Sequence, residues 1–180
     1  MSLETLKSKL PDYAKDLKLN LGSLENETIL TEQQKYGCML ASAHAVGEPH
    51  TLRALDAEAR SKLSPEAVKA AKAASAIMGM NNVYYRTTHL FSNETYKTVP
   101  AKLRMNVIGA PGIEKADFEL YALVVSAVNG CGMCLDAHEA ELRKHGFTTD
   151  QIQASVRIGS VVNAAARVMA AESALEAEPA

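Results

Sequence analysis

Apolar residues recur at helical spacing along most of the chain, and this pattern predicts an all-α protein. Residues that favour helices, such as alanine, leucine, glutamate and lysine, are frequent, and aromatic residues make up only 5% of the chain. No stretch keeps the alternation of apolar and polar positions that is typical of strands. We therefore expect one compact all-helical domain over residues 1–180.

Capping signals indicate where several helices begin. Thr31 with Gln34, and Thr148 with Gln151, have the spacing of a capping box. Ser64 is followed by a proline, which is the usual order of an N-cap and the first helical residue.

Other segments differ in regularity. Residues 93–117 contain prolines and glycines and are the least regular part of the chain. The next segment, 118–128, is almost entirely apolar, which predicts a helix buried on most sides. The last residues, 176–180, are expected to fray.

A weak internal repeat suggests that the domain contains two similar helical halves, approximately 1–100 and 101–180. The segment around Gly79 resembles the segment around Gly130. When the two segments are aligned, three positions of the first half correspond to the candidate chemical residues of the second: Met80 aligns with Cys131, Val83 with Cys134, and Thr87 with His138. The repeat predicts that the chemistry is confined to the second half.

Composition narrows the class of protein. The formal net charge is -2, and no basic block suggests a nucleic-acid partner. Three cysteines are too few for a disulfide-stapled secreted scaffold, and the apolar stretches are too short to cross a membrane. The first ten residues lack the apolar core of a signal peptide. We therefore expect a soluble protein of the reducing cytoplasm.

The segment from Asn129 to Gly146 carries the candidate chemistry. Cys131 and Cys134 form a CxxC motif, and His138 follows four residues after the second cysteine, so all three share one helix face. Cys131 lies at the start of the helix, where free N–H groups favour a thiolate. A histidine at this spacing can accept a thiol proton. The spacing is typical of a redox-active dithiol.

Two other interpretations of the CxxC motif stay open from spacing alone. The cysteines and histidine supply at most three ligands, whereas a structural zinc site needs four. The third cysteine, Cys38, lies in an apolar helical segment, where a free cysteine is usually a small buried hydrophobe. The motif could therefore serve redox chemistry, bind a metal or be inert, and no metal site is predicted.

Glu119 is a fourth candidate residue. We expect it in the first turn of the helix that precedes the CxxC motif, where a carboxylate is favoured by the helix dipole alone. The alternative is that it orients His138 or relays a proton, since a carboxylate on a buried helix needs a partner. The remaining histidines, and Met78 with Met80, are expected to serve packing or helix ends.

Glu119, Cys131, Cys134 and His138 together match the pattern E-x11-C-x-x-C-x3-H, and this pattern resembles the alkyl hydroperoxidase D family. The resemblance covers nearly the whole chain, including residues 6–21, 76–86 and 103–120. The family belongs to the wider group of carboxymuconolactone decarboxylases, which are all-helical proteins. Coverage of this extent is far more specific than the CxxC motif.

The resemblance implies an antioxidant peroxidase and a role for each residue. Cys134 would be oxidised by peroxide to a sulfenic acid, and Cys131 would supply a proton and then close the disulfide. His138 and Glu119 would form the relay that activates Cys134. The position of Cys131 at the helix start favours that residue as the better thiolate, whereas the family and the spacing to His138 favour Cys134.

The resemblance also implies partners. It implies a homotrimer, no tightly bound cofactor, and reduction by the lipoyl group of a dihydrolipoamide acyltransferase that lipoamide dehydrogenase keeps reduced. The oxidised partner would be a peroxiredoxin, the C component of the alkyl hydroperoxide reductase system. One position departs from the family: members can have a second histidine between the cysteines, and here Met133, which cannot transfer protons, occupies it. A carboxymuconolactone-type decarboxylase and a redox-sensing or metal-binding module are the alternatives.

Overall fold

The computed structural model describes residues 2–176, and the fraying expected for the C-terminus lies mainly outside this range. Within it the chain forms ten α-helices and one 3-10 helix and contains no strand, which confirms the predicted all-α class. The elements are α1 (Leu3–Lys9), a 3-10 helix (Asp12–Ala14), α2 (Lys15–Glu25), α3 (Glu32–Val46), α4 (Pro49–Lys62), α5 (Pro65–Leu90), α6 (Thr95–Thr98), α7 (Asn106–Gly109), α8 (Lys115–Asn129), α9 (Gly132–Lys144) and α10 (Thr149–Glu176).

The predicted helix starts are confirmed. Thr31 and Gln34 form a reciprocal capping box at α3, and Thr148 and Gln151 exchange the same pair of hydrogen bonds before α10. The hydroxyl of Ser64 accepts from the N–H of Ala67 at the start of α5. The irregular segment before α8 contains the two single-turn helices α6 and α7. Local capping chemistry therefore sets these boundaries.

Helix α3 is the centre of the fold. It packs against α4, α5, α8 and α10, and every residue from 35 to 43 is buried. Helix α8 packs beside it, with residues 117–126 all buried, as the apolar pattern predicted. The two helices approach closely at Gly37, where an added Cβ atom would lie 2.1 Å from Cζ of Tyr121. The absence of a side chain at Gly37 therefore allows α8 to pack tightly against the centre of the core.

Polar contacts fix the beginning of α8 against the beginning of α3. Both carboxylate oxygens of Asp117 accept hydrogen bonds, one from Gln33 at 2.6 Å and one from Gln34 at 2.8 Å. The hydroxyl of Tyr121 donates to the carbonyl of Gln33 at 2.8 Å. These bonds and the close packing hold α8 in a fixed position, and α8 carries Glu119 and leads directly to the CxxC motif.

The two segments of the predicted repeat differ in one respect. Helix α5 is continuous through Gly79, whereas the chain at Gly130 ends α8 and starts α9. The division into two similar halves stays a prediction. In the described part of the chain, no helix is both long enough and apolar enough to span a membrane.

Candidate active site

A sharp turn between α8 and α9 positions the two cysteines. Gly130 adopts a left-handed conformation with φ of 67°, which glycine accepts without strain, and the N–H of Cys131 bonds the carbonyl of Ser126 at 3.0 Å. Cys131 is then the N-cap of α9 and Cys134 the third residue of that helix. The two sulfurs form a disulfide, with Cα atoms 5.3 Å apart. The turn thus brings both cysteines to one helix end.

His138 and Glu119 form a buried pair beside this turn. Nδ1 of His138 lies 2.6 Å from Oε2 of Glu119, and the two residues are 8% and 5% exposed. Glu119 is the fifth residue of α8, so the expectation that it lies in the first turn is wrong. Its side chain is therefore beyond the free N–H groups of the helix start, which removes the helix dipole as the main reason for a carboxylate here.

The other nitrogen of His138 faces a thioether. Nε2 lies 3.3 Å from Sδ of Met78, which projects from α5. Met78 is 1% exposed, which agrees with its expected place in the core. Its contact with His138 was not anticipated, because a methionine in an apolar helix gives no signal beyond packing.

A cavity of about 220 Å³ opens onto one of the two cysteines. Cys134 is 6% exposed and lines the cavity together with His138, whereas Cys131 is 0% exposed and is not among its lining residues. The cavity is lined by Met78, Asn81, Tyr85, Met105, Ile108, Met133, Cys134, Ala137 and His138. Most of this surface is apolar, so a small molecule with an alkyl group could approach the sulfur of Cys134.

A polar network behind the disulfide connects α5 to the turn. Nδ2 of Asn82 donates to Oγ of Ser126 at 2.9 Å, and Nδ2 of Asn129 donates to Oδ1 of Asn82 at 2.9 Å. Arg86 donates to the carbonyl of Asn129 at the end of α8. Asn82 is buried, so these bonds satisfy it and hold the backbone that precedes Cys131. No motif or spacing in the chain indicated this network.

The free cysteine and two of the other histidines lie outside this cavity. Cys38 is a free, fully buried thiol, and burial raises its pKa well above the ordinary value, so it stays protonated. Nδ1 of His50 lies 3.1 Å from Oε1 of Glu48, but that carboxylate accepts the N–H groups of His50 and Thr51 as the N-cap of α4. Nε2 of His145 lies 3.6 Å from Glu141 at the exposed end of α9. In residues 2–176, no group of three or more histidine, cysteine or acidic side chains could hold a metal ion.

Met133 sits at the mouth of the cavity. Its side chain lines the cavity, and the residue is 46% exposed to solvent. This position, where the chain departs from the family pattern, is therefore next to Cys134 but outside the buried pair of His138 and Glu119. The four candidate residues Glu119, Cys131, Cys134 and His138 lie together, and Met133 lies at their edge.

Comparison with known proteins identifies the family of the chain. The model of the carboxymuconolactone decarboxylase family matches residues 94–177, which include both cysteines, His138 and Glu119. An alkyl hydroperoxide reductase AhpD from Hyphomonas neptunium is 78% identical over 180 residues, which is all of both chains. Proteins of the same name from Maricaulis maris and Streptomyces coelicolor are 67% and 56% identical over 96% and 99% of this chain, and over 100% of their own lengths. The family resemblance is thus confirmed over the full length, and the chain belongs to the AhpD family of alkyl hydroperoxide reductases.

Proposed function

We propose that this chain is an antioxidant alkyl hydroperoxide reductase that works through a dithiol–disulfide cycle of Cys131 and Cys134. The observation that carries the proposal is the disulfide at an apolar cavity, beside the buried pair of His138 and Glu119. The names of the full-length relatives point to the same activity. An apolar cavity suits the alkyl part of an organic hydroperoxide.

Cys134 is the residue proposed to react with peroxide. It lines the cavity, and His138, one helical turn further along α9, lines the same cavity and can take the thiol proton. The thiolate attacks the terminal peroxide oxygen, the O–O bond breaks, and the alkoxide leaves as an alcohol after taking a proton from solvent, while His138 keeps the proton of the thiol. The sulfur becomes a sulfenic acid. Glu119 supports this step by stabilising the positive charge that His138 gains.

Cys131 is proposed to close the cycle. Its sulfur attacks the sulfenic sulfur of Cys134, the S–S bond forms, and hydroxide leaves as water with the proton that Cys131 supplies. Its position as the N-cap of α9 favours the thiolate needed for this attack, because the first N–H groups of the helix lack partners within it. The two arguments that favoured different cysteines therefore apply to different steps.

Reduction of the disulfide is proposed to come from the lipoyl group of a dihydrolipoamide acyltransferase in the cytoplasm. Two thiols of the reductant close to a cyclic disulfide and return two electrons and two protons to the cysteines. Lipoamide dehydrogenase would then reduce the lipoyl group. A second oxidant, the disulfide of the peroxiredoxin component of the same reductase system, would be reduced by the same dithiol, and the active assembly would be a homotrimer. The family resemblance supports these partners.

A decarboxylase of the carboxymuconolactone type is the alternative enzyme. It would need no redox-active cysteines, so the bonded pair beside the cavity favours the reductase. A redox sensor would form the disulfide without turnover.

Single-turnover oxidation tests the proposal. Protein reduced with dihydrolipoamide is mixed with cumene hydroperoxide, or separately with the oxidised peroxiredoxin, and the loss of thiols is followed together with the mass of the Cys131–Cys134 disulfide. We expect the disulfide to form and turnover to continue in wild type and in the control Cys38→Ser. Cys134→Ser should lose peroxide turnover completely. Retained turnover in Cys134→Ser, or no disulfide with either oxidant, would refute the proposed function.

A further inference from the structure

We propose that Met78 is a positioning residue for His138, and that its thioether holds a proton on Nε2 while the cysteines are in the disulfide form. Both ring nitrogens of His138 have a neighbour at hydrogen-bonding distance: Oε2 of Glu119 at 2.6 Å and Sδ of Met78 at 3.3 Å. A thioether sulfur can accept a hydrogen bond but cannot donate one. A hydrogen bond between these two atoms must therefore use a proton of His138.

The contact with Glu119 requires a second proton. A carboxylate oxygen and an imidazole nitrogen at 2.6 Å share one proton, on whichever of the two atoms it resides. With the proton on Nε2, the pair of His138 and Glu119 holds two protons and has no net charge. If Nε2 were bare, the pair would hold one proton and carry a net negative charge.

Burial favours the neutral pair. His138 and Glu119 are 8% and 5% exposed, and the cavity beside them is mostly apolar, so an uncompensated charge here would be costly. The other titratable groups nearby are few. Cys134 and the hydroxyl of Tyr85 line the cavity, and Lys115, one turn before Glu119 on α8, bonds Glu141 of α9 at 2.7 Å. The residues that α7 and the segment before it contribute, Ile108 and Met105, are apolar.

The hydrogen-bond acceptor for the proton on Nε2 changes during the proposed cycle, and this part of the inference rests on the proposed function. In the disulfide form Cys134 has no charge, and the thioether of Met78 is the partner of Nε2–H. When a reductant releases the sulfur of Cys134 as a thiolate, a stronger acceptor appears in the cavity that His138 also lines. Met78 thus keeps the proton where the leaving thiolate needs it.

Nitrogen NMR of the disulfide form tests the proton directly. The protein is labelled with ¹⁵N-histidine, and the two His138 signals are identified by their loss in His138→Asn. We expect both nitrogens of His138 to have the chemical shifts of protonated nitrogens at neutral pH. In Met78→Leu, which nearly conserves volume, the Nε2 shift should move toward that of an unprotonated nitrogen by the amount that an about fivefold change in the protonation equilibrium gives, the size expected for the loss of one hydrogen bond. Met80→Leu, on the same helix but outside the cavity, should match wild type.

A kinetic readout separates positioning from packing. Reduction of the disulfide by dihydrolipoamide should be about fivefold slower in Met78→Leu at neutral pH, the size expected for the loss of one hydrogen bond. The ratio of wild-type to variant rates should approach one as the pH falls, because solvent then supplies the missing proton. A ratio that is constant with pH would indicate packing alone and refute the inference.

The spectra do not depend on turnover. An unprotonated ring nitrogen of His138 in the wild-type disulfide form would overturn the inference while leaving the proposed function intact. This measurement uses the wild-type protein, so it does not depend on whether a variant folds. An Nε2 shift in Met78→Leu that equals the wild-type shift at every pH would overturn it as well. Failure of the proposed function would instead appear as absent peroxide turnover in the wild-type protein.

Discussion

Replacement of Glu119 by glutamine tests how much the buried pair contributes to both stability and rate. The substitution conserves shape and leaves no cavity, so the change lies in the hydrogen bond to His138. A hydrogen bond that involves a charged group contributes about 1.5–3 kcal/mol, and a neutral one about 0.5–1.5 kcal/mol. The difference between the two kinds of hydrogen bond is about 1–2 kcal/mol. Solvent and salt screen it little, because both side chains are almost completely buried.

The same difference should appear in two measurements. The free energy of unfolding of Glu119→Gln, from urea titration, should be lower than that of wild type by about 1–2 kcal/mol. Oxidation of the Cys134 thiol by cumene hydroperoxide, followed by stopped-flow, should be about 5- to 30-fold slower, because the positive charge that His138 gains loses the same stabilisation. Glu119→Ala should be less stable than Glu119→Gln, since it also leaves a cavity and an unpaired imidazole.

The control is Glu139→Gln. Glu139 lies next to His138 in α9, but its side chain is 43% exposed and pairs with Arg143 on the surface, so both measurements should match wild type closely. If Glu119→Gln were oxidised at the wild-type rate across the pH range, the reasoning that links this carboxylate to His138 would be wrong. A loss of stability without a loss of rate would assign Glu119 a structural role only.

Two further predictions concern Met133 and Glu48. Met133→His should speed oxidation of Cys134 by hydroperoxide, because it adds a proton-transferring group at the cavity mouth. The free energy of unfolding should change by no more than about 0.5 kcal/mol at this half-exposed position. An unchanged stopped-flow rate of oxidation would contradict the expectation. Burial alone would raise the pKa of Glu48, but the hydrogen bonds donated by Thr51 and His50 lower that pKa overall. The carboxylate therefore stabilises the fold at pH values above its unfolded pKa of about 4.5. This stability is lost as the pH falls through the lower pKa of the folded state. Glu48→Gln should therefore cost about 0.5–2 kcal/mol at neutral pH and less in acid, as urea titrations at several pH values would show; an equal cost at all pH values would be inconsistent with this mechanism.

The parts of the structure that depend on neighbouring residues could be predicted from the sequence. The capping boxes at Thr31 and Thr148 and the buried character of α8 follow from spacing within a few positions. The CxxC turn follows from Gly130 and the start of a helical pattern directly after it. These features arise from short-range hydrogen bonds and hydrophobic periodicity, which the order of residues specifies directly.

The contacts between distant segments were harder to predict. The pairing of Glu119 with His138 was one of two alternatives that the buried helix left open, and the family resemblance then favoured it, because their separation of 19 residues across two helices has no signature in spacing. The contact of Met78 with His138 spans 60 residues and depends on how α5 packs against α9. Asn82 looked like any polar residue on a helix, and its role is visible only where it meets Ser126. Tertiary packing, rather than local preference, determines these parts of the site.

The short span of the disulfide has a consequence for the unfolded chain. The bond closes a loop of residues 131–134, with a sequence separation of three. For a loop this small, the chain-entropy relation gives about 2 kcal/mol of stabilisation, whereas a bond that closed a loop of 100 residues would give about 4.7 kcal/mol. Reduction should therefore lower the melting temperature by only about 4–8 °C for a chain of this size. In the proposed cycle, a short span would let the protein alternate between its oxidised and reduced forms while the same set of helices stays folded in both.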